Sequence, residues 1–183
     1  MELIRIDPLV AWILRTALAA LFAVAALHKI RDPRAFLETF SEYEILPRIL
    51  IIPGATVLVV AETALAFGLL ADYDGVGFGL AAISLLSIYA LAIGVNLMRG
   101  RRDIDCGCLG PAGRQPLSRG LVIRNGLLAA SAAATCLPIS DRNLNLVDGI
   151  SLIGGLVTLV LLFNAINILS VQTWRWPVRE NAS

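Results

Sequence analysis

Charge is scarce in this sequence: Asp, Glu, Lys and Arg make up 16% of its 183 residues, with a formal net charge of +1. Soluble domains carry about 25% charged residues, so a water-soluble fold is not expected. So small a basic excess also gives no reason to expect nucleic acid as a partner. Histidine occurs once and cysteine three times, too few for a disulfide scaffold or a four-ligand zinc site. Nor does any ten-residue apolar/polar alternation recur, as an outer-membrane barrel requires. What is abundant is apolar surface. Hydrophobic residues form 57% of the chain, which excludes disorder.

That apolar content falls into five stretches, at about 9–27, 49–71, 75–98, 120–137 and 146–169. About 20 helical residues cross a hydrocarbon core of roughly 30 Å, and backbone amides in lipid must be paired internally. The expectation is an all-α integral membrane bundle of five transmembrane helices, forming one domain over residues 1–183. Ala23-Val24-Ala25 mimics a signal-peptide cleavage site. However, Glu2 and Asp7 outweigh Arg5 ahead of it, and the apolar run is too long for a signal peptide, so a retained helix is expected. Between the first two spans, Phe36, Leu37 and Phe40 recur at helical spacing among charges. They predict a short amphipathic helix at the interface, begun by Asp32-Pro33 and ended by Pro47. Asp72-Tyr73-Asp74-Gly75 reads as a tight turn, and Trp174 and Trp176 as interfacial anchors.

Basic residues predict the orientation. Eleven of them (29, 31, 34, 48, 99, 101, 102, 114, 119, 175 and 179) fall on one side of a five-span arrangement, and only Arg5 and Arg142 on the other. By the positive-inside rule the N-terminus faces out. The C-terminus and the loop 99–119 then face the cytoplasm across a cell (inner) membrane.

That loop holds the most informative stretch, Asp105-Cys106-Gly107-Cys108. Two thiols separated by one residue can close an unusually small disulfide ring, and Gly107 removes the side chain that would obstruct it. A strained, exposed disulfide is labile and oxidising. Arg101, Arg102 and a helix start near residues 117–120 favour thiolate, whereas Asp103 and Asp105 oppose it. A plain turn with tolerated cysteines, or a soft-metal site using the same thiolates, are the other readings. Cys136, at the far end of the fourth span, is read as packing. Glu62 lies near mid-span and Arg15 at a similar depth, so the two are expected to pair, with proton or substrate handling as the other reading. His28, Lys29, Asn96, Arg124, Asn125, Asn164 and Asn167 share the depth at which the cysteine loop attaches. They read as interhelical glue or as a polar vestibule in which His28 accepts a thiol proton.

Several of these pieces together resemble one family. His28-Lys29-Ile30-Arg31-Asp32-Pro33, Tyr43-Glu44-Ile45-Leu46-Pro47, Glu62, and Asn96 followed by residues 99–108 are similar to the methylamine utilisation protein MauE family, within the DoxX-like group of redox-associated membrane proteins. Leu109 and Glu44 depart from the pattern, where Phe and Arg are expected. The resemblance covers the first four spans; the fifth matches only by hydrophobicity. It implies a thiol–disulfide redox role for Cys106 and Cys108, supported by His28, Asp105, Gly107, Asn96 and Arg124. The partners it implies are a thioredoxin-like protein and an exported, disulfide-rich enzyme subunit such as that of methylamine dehydrogenase. It brings no certain cofactor. A quinone is a possible membrane carrier, but no residues identify a site for it. A soft-metal carrier and a non-catalytic assembly subunit remain as alternatives. An exported substrate would place the cysteines outside, whereas the charge count places them inside; the charge count is taken for the topology.

Overall fold

The computed structural model describes residues 5–71, 76–106 and 116–172, with side chains as far as residue 165. The Asp72–Gly75 turn, Gly107, Cys108, Leu109, Trp174, Trp176 and the side chain of Asn167 lie outside this description. Among the described residues the secondary structure is helical, apart from two isolated bridges, Ile6 with Ile139 and Asp105 with Pro116. The helices are α1 (Pro8–Arg31), α2 (Pro33–Glu42), α3 (Ile51–Ala71), α4 (Val76–Met98), α5 (Arg119–Ala134) and α6 (Leu146–Gln172), with a 3-10 turn, Arg48–Leu50, leading into α3.

Local chemistry sets the ends. The Asp7 carboxylate accepts the Leu9 N–H at 2.9 Å and Pro8 opens α1, as N-caps and first-turn prolines do. Asp32 serves two helices. Its N–H closes α1 on the His28 carbonyl at 3.1 Å, and its side chain accepts the Ala35 N–H to start α2. The sequence placed the end of α2 at Pro47, but the helix stops at Glu42. Glu44 adopts φ +47°, a left-handed conformation that breaks the helix before the proline is reached.

α1, the segment Arg48–Ala71, α4 and Leu146–Ala165 of α6 are each long and apolar enough to cross a membrane. α5 has only 16 residues and ends short of the stretch 120–137 assigned to it from sequence. The five-span expectation is compatible with this arrangement. α1 packs against α3, and α4 against α5, around Leu18, Phe22, Leu65, Leu69, Leu86 and Ala132. α6 rests on α1, where Gly155 lies under Ile13. Its remaining faces show Ile150, Ile153, Val157 and Leu161 to the surroundings. Apolar surface on nearly every side is what lipid-facing helices present.

At the N-terminal end of the bundle, Ile6 exchanges backbone hydrogen bonds with Pro138 and Ser140, each 2.9 Å. Arg142 bridges Asp7 at 3.1 Å and Asp148 at 2.7 Å. The hydrogen bond to Asp148, with the charges of Asp148 and Asp7 adding to it, raises the Arg142 pKa.

Candidate functional site

The cysteine segment is built at the opposite end. α4 runs out at Met98, and Gly100 at φ +76° turns the chain back, a conformation glycine adopts freely. The Arg101 N–H is held by the Asn96 carbonyl at 3.0 Å, and the Leu117 N–H by the carbonyls of Arg102 and Ile104 at 3.0 and 3.2 Å. This crossing drives Ile104 and Cys106 inward against Ile93, Leu117 and Leu121. Cys106 is 8% exposed. From the turn after α2, the Tyr43 hydroxyl donates to the Cys106 carbonyl at 3.4 Å. Next to it, Glu44 forms an ion pair with Arg101 at 2.8 Å, and its carbonyl accepts from the Arg99 guanidinium at 3.3 Å.

A second polar cluster lies inside the bundle. Glu62 is completely buried, and its two carboxylate oxygens accept from Lys29 Nζ at 2.6 and 2.8 Å. The Tyr89 hydroxyl donates to the same carboxylate. Lys29 Nζ also sits 5.4 Å from the Phe36 ring centre and 5.9 Å from that of Tyr89. One charge pair thus ties α1, α2, α3 and α4.

The expected Arg15–Glu62 pair is therefore corrected: Glu62 takes Lys29. Side chains on a helix lean toward its N-terminus. In the antiparallel pair α1 and α3, Lys29 and Glu62 lean toward each other, whereas Arg15 leans away. Arg15 reaches the Thr135 carbonyl instead, at 3.5 Å, where α5 ends. A cation there complements the carbonyl end of the helix.

The set expected at one depth disperses. Lys29 turns to Glu62, Arg124 lies 5.6 Å over the Phe163 ring, and Asn164 is exposed and donates to the Val160 carbonyl. Asn125 donates to the Leu121 carbonyl at 2.8 Å. The His28 side chain is half-buried and makes no hydrogen bond with Cys106. Asn96 is fully buried; its amide N–H donates to the Ala92 carbonyl, while its Oδ1 finds no donor among the described residues. Cys136, just past α5, faces Gly79 at the other end of the bundle from Cys106. Among the described residues no three His, Cys, Asp or Glu side chains gather closely enough to hold a metal.

Tyr43 and Tyr89 are contacts that reading the sequence left unassigned. Tyr89 had a signal, because it stands seven residues before Asn96 on the same face of α4. Tyr43 had a weaker one, as the aromatic at the exit of an amphipathic helix.

Residues 7–138 match the family model for methylamine utilisation protein MauE. The chain belongs to the MauE family. Two similar curated members are the methylamine utilization proteins MauE of Paracoccus denitrificans and Paracoccus versutus. The first is 42% identical over 129 residues, covering 70% of this chain and 69% of that protein. The second is 38% identical over 167 residues, covering 90% of each. MauE of Methylophilus methylotrophus is 30% identical over 92% of this chain and 90% of its own length. The MauE match takes in the Lys29–Glu62 pair and the cysteine segment and ends at residue 138, so α6 lies beyond it. No solved structure matches the chain.

Proposed function

We propose that this chain serves methylamine utilisation as a membrane thiol–disulfide redox protein, in which Cys106 and Cys108 support disulfide formation in an exported enzyme subunit such as that of methylamine dehydrogenase. The observation that carries this reading is the placement of Cys106. Its backbone is fixed between α4, α5 and the Tyr43 turn at the end of the bundle, and a second thiol follows two residues later in sequence. Fixing one sulfur limits the entropy lost when the pair closes. Asp105 is set by its bridge to Pro116, and Asn96 holds the start of the segment through its carbonyl. Gly107, His28 and Arg124 complete the supporting set by sequence. A thioredoxin-like protein is the exchange partner.

Titration of the purified protein against a defined thiol–disulfide buffer, read by mass-tagging of free thiols, tests the chemistry. The pair is expected to interconvert at a potential well above that of structural disulfides, because a one-residue spacing departs from unstrained bridge geometry. A pair that stays reduced throughout and binds copper(I) stoichiometrically would replace this reading with the soft-metal carrier.

The excess of basic residues at the cysteine end favours a cytoplasmic position for Cys106 and Cys108. In a Cys136→Ser background, an impermeant maleimide added to reduced intact cells is expected to leave both unlabelled until the membrane is opened. Ready labelling of intact cells reverses the orientation.

A further inference from the structure

We propose that the cavity where α4 ends and α5 begins binds the phosphate of an anionic phospholipid, held between Arg102 and Arg119. The site stands whether or not the thiol–disulfide reading holds. Among the described residues the cavity is lined by Leu97 and Met98 of α4, by Arg102, and by Leu117, Ser118 and Arg119 around the start of α5. Its volume is about 590 Å³, within the range of roughly 300–1,000 Å³ found for small-molecule sites.

The charge at this cavity is not already neutralised. Of the arginines at this end of the bundle, Arg101 is paired with the Glu44 carboxylate and Arg99 donates to the Glu44 carbonyl. Arg102 and Arg119 are exposed and form no ion pair among the described residues. Asp103 and Asp105 lie close in sequence, yet neither is paired with these two guanidiniums. A guanidinium fork matches phosphate oxygens two at a time and keeps its charge at any physiological pH. Helix α5 adds to the attraction. Ser118 occupies its N-cap in an extended conformation without a side-chain capping bond, and the first turn of a helix carries partial positive charge on N–H groups that lack intrahelical partners.

The level of the cavity and its apolar walls favour a lipid over a free anion. α4 is long and apolar enough to cross a membrane, and it ends at Met98, so the cavity lies where the end of a span meets headgroups. Met98 is 82% exposed, a long apolar side chain beside two cations. On α5 the four-residue stripe that begins at Arg119 continues as Ile123 and Leu127, both exposed. A phosphate seated on Arg119 therefore has an apolar track for an acyl chain leading away from it, which an inorganic anion would leave unused. A zwitterionic headgroup would bring its own cation against two guanidiniums, so a headgroup of net negative charge is selected. Basic pockets beside spanning helices are a recurring way to hold such headgroups.

The test uses the full-length protein in a non-ionic detergent, stripped of co-purifying lipid and titrated with dioleoyl phosphatidylglycerol. Native mass spectrometry counts the lipid retained. Phosphatidylcholine with the same chains and soluble glycerol phosphate are the comparison ligands. One phosphatidylglycerol is expected to bind ahead of any further lipid and roughly tenfold more tightly than phosphatidylcholine. Glycerol phosphate at equal concentration should not displace it. Arg102→Gln with Arg119→Gln should weaken this first binding roughly tenfold. Arg31→Gln with Arg34→Gln removes two exposed arginines at the same end of the bundle but outside the cavity, and should change it by less than about twofold at physiological salt. Arg119→Gln alone, at an exposed first-turn position, should still lose affinity several-fold and secures the test if the double variant does not fold. Equal retention of the two lipids, equal losses in the two double variants, or an affinity unchanged by the cavity variants would overturn the site. Displacement by glycerol phosphate at equal concentration would overturn the lipid and leave a site for a free phosphate.

Discussion

Glu62→Gln is expected to destabilise the folded bundle by about 3–5 kcal/mol, the usual penalty for removing one partner of a buried ion pair. The amide oxygen still accepts hydrogen bonds, but Lys29 keeps a charge that is 7% exposed and has lost its counter-charge, with the Phe36 and Tyr89 rings nearby. Aromatic faces attract an ammonium by about 2 kcal/mol when desolvated, less than a buried carboxylate supplies. The measured loss should fall toward the lower end of the range, because polar groups on unpacked helices also find partners within the bilayer. The double change Lys29→Met with Glu62→Leu should recover most of it, since apolar replacements of similar volume spare both desolvation costs. Thermal unfolding in a fixed detergent, followed by circular dichroism, reads both variants. A melting temperature unmoved by Glu62→Gln would mean that the pair carries no structural weight.

Gly68→Ala should cost about 1–3 kcal/mol, the range for overpacking a filled core. A Cβ at position 68 would overlap the Phe78 ring, which packs against the core where α3 meets α4. The absence of a side chain at Gly68 is what lets that ring approach α3. Combining Gly68→Ala with Phe78→Leu should restore much of the stability, because the three atoms nearest the added Cβ all belong to that ring. The same melting experiment decides it. Destabilisation that persists in the double variant would point to a backbone requirement at Gly68.

The long helices were legible in the sequence because hydrocarbon thickness imposes a length and a composition that leave few readings. α3 and α4 fall within the expected apolar stretches, and α1 and α6 cover theirs and overrun them by a few residues. The start of α2 was equally clear, since Asp32-Pro33 states it chemically. Its end was not. Glu44 takes a left-handed turn because two arginines some fifty-five residues away grip it, a long-range cause that no local pattern displays. The partner of Glu62 was missed for a geometric reason. Counting residues into each span gives the depth of a Cα, whereas Lys29 meets Glu62 through the direction in which their long side chains lean. The cysteine pair was visible as a motif. The burial of Cys106 beneath Tyr43 was not, because it depends on how the segment crosses α4 and α5.

The short α5 bears on the membrane around the protein. Its 16 residues rise about 24 Å, against a hydrocarbon layer of roughly 30 Å. At its C-terminal end the Thr135 carbonyl accepts from the Arg15 guanidinium, which is itself drawn into the first span. If α5 crosses the membrane with the four longer helices, the bilayer beside α4 and α5 has to dip toward Cys136, while around α6 it can keep its full depth. Such a lopsided rim has an energetic cost that grows with lipid chain length. A spanning α5 would match the protein to a thin bilayer, and long-chain lipids would be expected to strain it from that side first.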